Sequence, residues 1–196
     1  MESNKSKNKK DECLHRLNPL SNKFRGNTLI HTFDEMKYFT RVKTINGGYS
    51  STYNAGVNGC TNLSDYNLVN ITSIIGGPGT GNGENSAPFS STKISELNIP
   101  NLTTVGGYCF RNMPSLKKVV IGTAFTTINS AYAFSYVRGA IIINTLVPAT
   151  GSVLNRNGVV GSPCIYVPDE VVEDYKAAAA FATWASYIKP ISEYVE

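Results

Sequence analysis

Three stretches of this chain carry the same apolar spacing, and a chain that repeats a short unit has few ways to fold. LSDYNLVNITSI (63–74), ISELNIPNLTTV (94–105) and LKKVVIGTAFTTI (116–128, one residue longer) superpose. Their apolar positions coincide at Leu63/Ile94/Leu116, Tyr66/Leu97/Val119, Leu68/Ile99/Ile121, Ile71/Leu102/Phe125 and Ile74/Val105/Ile128. A second shared frame, VNGCTNL, FRNMPSL and FSYVRGA, aligns Val57, Phe110 and Phe134, then Cys60, Met113 and Val137. Upstream, FTRVKTI (39–45) matches LVNITSI through Phe39, Val42 and Ile45. Self-similarity at such a period is the signature of a solenoid, in which one unit cannot bury its own apolar face and neighbours must stack.

Alternating pairs such as Leu97-Asn98-Ile99 predict one short strand per unit with one face inward. The inward pairs read 66/68, 97/99, 119/121, 143/145 and 165/167, separated by steps of 31, 22, 24 and 22 residues. The Asn-Leu-Thr-Thr-Val and Ala-Phe pieces are read as turns of the coil. The one long step contains SIIGGPGTGNGEN (73–85). That stretch resembles a phosphate-binding loop, with Gly76 and Gly81 at the right separation. The motif also needs a Lys and a hydroxyl next, and a helix to follow. Here Asn82 and Gly83 follow, then Glu84 and further helix breakers. The segment 76–88 therefore reads as an insertion on one face of the solenoid, not a nucleotide site.

Charge narrows the function further. Residues 1–25 hold seven Lys/Arg against three acids, and the remaining chain holds eleven of each. The folded part as a whole is therefore neutral, which removes the electrostatic case for nucleic acid. Residues 1–27 read as a disordered basic tail with no apolar run after the basic start, so no export leader is expected. Apolar runs such as Ala140 to Ile143 are far too short for a membrane-spanning helix. Cys13, Cys60, Cys109 and Cys164 form no CxxC and meet no His at ligand spacing, so neither a zinc site nor an obligatory disulfide is expected.

The ends of a solenoid need covers. Phe33, Met36, Tyr38 and Phe39 suggest a short helix over the first layer. At the other end Asp169 is a cap candidate for a helix presenting Val171, Tyr175, Ala178, Ala182 and Ala185 on one face. Trp184 lies off that stripe, so a break near 180 would let it seal the last layer. Between the inward pairs lie the outward positions Asn67, Asn98, Val120, Asn144 and Tyr166, flanked by Asp65, Glu96, Lys118, Ile142 and Cys164. Two readings of the in-register asparagines stand side by side. Their amides satisfy the backbone, or they form a polar recognition ladder with Tyr166 as anchor. The candidate partner-binding residues are Asn67, Asn98, Lys118, Asn144 and Tyr166. Asn-x-Ser/Thr triplets at Asn62, Asn70 and Asn101 recur because the repeat recurs. For catalysis, His31 with Asp34 and Glu35 nearby supplies no nucleophile, base and orienting group in one motif.

The stretch ISELNIPNLTTVGGYCFRNMPSLKKVVIG, followed by TTINSAYAF, resembles the BspA-like (Treponema-type) leucine-rich repeat family. CIYVPDEVVEDYKAAAAFATWASYIKPISEY is similar to its closing segment, and the likeness covers roughly residues 30–194. The insertion at 76–88 and the stretch 146–158 depart from the pattern. The resemblance implies a mainly β right-handed solenoid with a helical C-terminal cap, tail 1–27, solenoid 28–167 and cap 168–196. It also implies non-catalytic recognition at a bacterial surface or after secretion, with a protein or glycan partner. A part of a larger assembly, such as a phage virion, is the alternative. No cofactor and no membrane insertion are expected, and a monomer is favoured.

Overall fold

The computed structural model describes residues 24–47, 56–76, 87–159, 161 and 163–196. The tail before residue 24 and residues 77–86 of the insertion lie outside these. Through the described residues the chain winds as a coil whose strands run parallel, each hydrogen-bonded to its counterpart in the next coil. β1 (Thr32–Phe33) and β3 (Asp65–Tyr66) make a two-stranded sheet. β5 (Glu96–Ile99), β7 (Lys118–Ile121), β9 (Ala140–Ile143), β11 (Ile165–Val167) and β12 (Ile188–Pro190) make a five-stranded one, here called the strand face. A second five-stranded sheet holds β2 (Thr44–Asn46), β4 (Ser73–Ile75), β6 (Thr104–Val105), β8 (Thr127–Ile128) and β10 (Thr150–Gly151).

The mainly β repeat fold is as the apolar spacing predicts, with one addition. The piece 101–105, read as a turn, ends in the two-residue strand Thr104–Val105, and Thr127–Ile128 is its counterpart in the next coil; such strands give most coils a second one. Ile45 pairs with Ile74, Ile74 with Val105, and Val105 with Ile128, and all four side chains are buried. On the strand face Leu97, Val119, Ile141, Ile165 and Ile188 form the matching column. One continuous apolar cluster runs from Phe33 to Ile188, with Phe110 stacked on Phe134 at 6.0 Å. Burial on this scale, shared by neighbouring layers, supplies the main driving force.

Side chains tie the coils together where the ladders end. Asn70 donates to the Lys37 carbonyl at 2.6 Å, and Asn101, one coil on, donates to the Val69 carbonyl at 2.7 Å. Thr103 Oγ1 donates to Thr72 O at 2.8 Å, and Thr126 Oγ1 repeats the bond to Thr103 O at 3.4 Å. Backbone groups that would otherwise be orphaned at each corner are thereby satisfied. Coils also approach so closely that Cβ atoms are excluded at some points. A Cβ on Gly122 would stand 1.9 Å from the Pro100 carbonyl oxygen.

Several expectations are corrected. The fourth inward pair is 141/143, not 143/145, because Val119 pairs with Ile141 and Ile121 with Ile143. The run Ala140-Ile141-Ile142-Ile143 does not alternate, so period-2 reasoning cannot choose its inward set. Phe24 packs edge-on against Phe33 at 4.9 Å, so ordered packing begins ahead of residue 28. Ala87 and Pro88, read as part of the insertion, are buried, and Val57 N donates to the Pro88 carbonyl at 2.7 Å. At the first layer, Asp34–Tyr38 form a 3-10 turn that buries Met36 but leaves Tyr38 64% exposed.

The C-terminal cover is helical but shorter-turned than the stripe suggests. A 3-10 turn (Asp169–Val171) leads into α1 (Val172–Ala177), and a second 3-10 segment (Ala179–Tyr187) follows. Extended backbone at Ala178 breaks the helix, which leaves Ala182 exposed and turns Ala180, Phe181 and Trp184 inward. Trp184 is fully buried, with the Arg156 guanidinium 4.3 Å from its ring and 3.4 Å from that of Tyr187. Asp169 makes no capping bond to the helix; it accepts instead from Ser192 N at 3.1 Å. The chain then adds β12 to the strand face, an element absent from the sequence reading.

Candidate functional site

The outward row of the strand face is Asn98, Val120, Ile142, Tyr166 and Lys189, set by the pairing of β5, β7, β9, β11 and β12. Three of the five proposed partner-binding residues belong to this face. Asn98 is exposed on β5, Lys118 stands in the neighbouring row on β7, and Tyr166 is half-buried on β11. The register correction moves the other inferred position. Asn144 lies beyond the end of β9, and both its backbone N and its Nδ2 donate to the Ile121 carbonyl at 3.0 Å. Asn67, just past β3, donates to Asp34 Oδ1 at 3.0 Å and accepts from Val69 N at 3.1 Å. Both amides serve the backbone and the neighbouring coil, so they fit the first of the two readings.

The last residues of the chain return across this face. After a 3-10 turn (Ile191–Glu193), Tyr194 meets Tyr166 edge to face at 5.0 Å. Glu196 Oε1 then reaches Lys118 Nζ at 2.6 Å. β9 lies between the two strands so contacted, and its outward Ile142 is only 9% exposed. Sequence reasoning placed Ile142 in the flanking row and missed the reason for an isoleucine there. Lys118 also pairs with Glu96 Oε2 at 3.0 Å on the neighbouring strand. Hydrogen bonds donated to the Glu196 and Glu96 carboxylates hold its ammonium above the usual lysine range, and the one from Lys118 holds the Glu196 carboxyl below its own. Burial pushes the Tyr166 phenol up.

Among the described residues, no group of three or more His, Cys, Asp or Glu stands where it could hold a metal ion. No helix of those residues is long and apolar enough to cross a membrane. His31 is exposed, and Asp34 is engaged with Lys37 and Asn67.

Parallel strands at one coil spacing, an unbroken apolar interior and outward side chains in rows define a leucine-rich repeat solenoid. The chain matches the BspA type leucine rich repeat region, in six copies across residues 30–141, and belongs to that family. Such repeats are generally a non-catalytic interaction fold, and they mark this chain as a protein-interaction module. Among curated proteins none matches the chain.

Proposed function

We propose that the chain is a non-catalytic module that binds extended protein segments on its strand face, at a bacterial cell surface or after secretion. One observation carries this reading. The face already accommodates a peptide, its own residues 194–196, through an aromatic contact at Tyr166 and an ion pair at Lys118. Support also comes from rigidity. Leu97 and Ile99, and Val119 and Ile121, are locked in the core, so the intervening Asn98 and Val120 are presented without an ordering cost on binding. The part of the row on β5 and β7 lies beyond the Tyr194 contact and offers a polar and an apolar position side by side.

A photo-crosslinking residue at position 98 tests the reading. A protein adduct from neighbouring cells, saturable and competed away by unmodified chain, supports it; the same crosslinker at Lys176 on the cap gives none. Equal labelling from both positions counts against it. Competition by free glycans and not by protein would shift the partner class. A closed oligomer in light scattering would favour the assembly alternative over a monomeric module.

A further inference from the structure

A second surface lies away from the strand face, in the turns that follow the second sheet. Tyr108, three residues beyond β6, stacks on Tyr132 from the next coil at 5.0 Å with an interplanar angle of 12°. Tyr136 lies tilted beside Tyr108 at 6.2 Å. The Arg111 guanidinium sits 4.5 Å from the centre of the Tyr136 ring and 5.7 Å from that of Tyr108.

The backbone beneath this cluster is not what packing alone would select. Gly59, Ser91, Asn112 and Gly158 adopt left-handed φ values of +77°, +59°, +56° and +64° in the turns of successive coils. Glycine and asparagine tolerate that region, and serine is small. Tyr136 sits there at +62°, and Tyr108 at +55° in its own turn. For bulky residues such angles are strained, and strain of this sort collects at functional sites. The neighbouring coil is also shaped around the ring: a Cβ on Gly158 would stand 2.2 Å from Tyr136 ring carbons. Two strained tyrosines and one bare glycine thus converge to hold a single arginine.

That arginine is half-spent. Stacking on aromatic rings uses the face of the guanidinium and leaves its N–H edge available. Among the described residues no carboxylate stands within ion-pair distance of Arg111. We propose that Tyr108, Arg111, Tyr132 and Tyr136 form a docking site for an acidic segment of a protein partner. A carboxylate takes the guanidinium edge through paired hydrogen bonds, and an adjacent apolar side chain lies along the tyrosine wall. Tyrosine and arginine are the residue types that dominate binding energy at protein interfaces, and the rings lower the local dielectric around the ion pair.

Selection of a displayed random dodecapeptide library on the full chain tests this, followed by anisotropy titration of the best synthetic peptide. The expected consensus carries Asp or Glu beside an aromatic or aliphatic residue. Arg111→Lys, which keeps the charge but not the planar fork, weakens the peptide by about tenfold or more. Tyr136→Asn weakens it comparably while leaving the unfolding midpoint unchanged or higher, because asparagine suits the left-handed turn. Asn98→Arg on the strand face leaves affinity unchanged, which keeps this site separate from the one proposed above. The inference is overturned by no enrichment of acidic residues, by equal binding to the Arg111→Lys chain, or by loss on Asn98→Arg. Retention of uronic-acid oligosaccharides with no peptide binding would also overturn it.

Discussion

Lys118 on β7 and Glu196 meet at 2.6 Å across 78 residues of chain, closing the C-terminal segment over the strand face. Glu196 is exposed while the Lys118 side chain is largely covered, so water screens the pair from the Glu196 side and the contact positions the segment more than it stabilises the fold. Its pH dependence has a definite sign. The Glu196 carboxyl is depressed from 4.5 by the hydrogen bond from Lys118, so the contact is complete above that value and is lost as pH falls through the lowered one. Lys118 is raised from 10.5 chiefly by the hydrogen bond to Glu196, so the contact is complete below that value and is lost as pH rises through the higher one. Ring resonances of Tyr194 should therefore move towards free-tyrosine positions on acidification, and Glu196→Gln should reproduce the change at neutral pH.

Ile99 is fully buried and pairs with Ile121 in the next coil. Ile99→Asn places an unpaired amide in a dry layer and should cost about 3 kcal/mol or more. Because one apolar cluster links Phe33 to Ile188, the loss should appear as a single earlier transition. The fluorescence of Trp184, the only tryptophan, reports the cap, and circular dichroism reports the sheets. The two urea curves should coincide. Separate transitions would contradict a shared interior.

Gly122→Ala tests how tightly successive coils approach. The added methyl meets the Pro100 carbonyl oxygen at 1.9 Å, a backbone atom that no rotamer change can move aside. A loss of about 2 kcal/mol is expected, within the usual span for overpacking. An unchanged urea midpoint would show that the coils can separate locally.

The cysteines should divide by burial. Cys109 is fully buried, and desolvation pushes its thiol up to about 12. Cys60 is raised for the same reason, and its Sγ donates to the Phe24 carbonyl at 2.6 Å. Cys164 is half-exposed. In a Cys13→Ser background at pH 8, a thiol reagent should label one site quickly and the other two only on unfolding. Rapid labelling of all three would contradict the packed layers around Phe24 and Gly106.

Much of this fold was legible because apolar residues recur at a fixed spacing. The columns through Ile45, Ile74, Val105 and Ile128 needed only alignment of the segments. What escaped notice did so for physical reasons. Strands of two residues are too short to show any period, so the second sheet read as turns. Three consecutive isoleucines gave no alternation, and the low exposure of the outward Ile142, on the strand between those that Tyr194 and Glu196 reach, is a tertiary fact that no local pattern carries. Phe89 is buried, but its place beside the insertion hid it. The matching Tyr-x-Phe pieces at 108–110 and 132–134 were visible in the sequence. Nothing there announced that Arg111 would lie against the rings of Tyr108 and Tyr136.

The pairing of Lys118 with Ala140 and of Ile121 with Ile143 makes residues 118–139 one complete revolution. Each revolution leaves the chain where it began, displaced only along the axis. A duplicated copy spliced in at residue 140 would meet the same pattern of donors, acceptors and apolar surfaces on either side. The molecule's length, and with it the reach of whatever it presents, can therefore be changed in whole increments without redesigning either end.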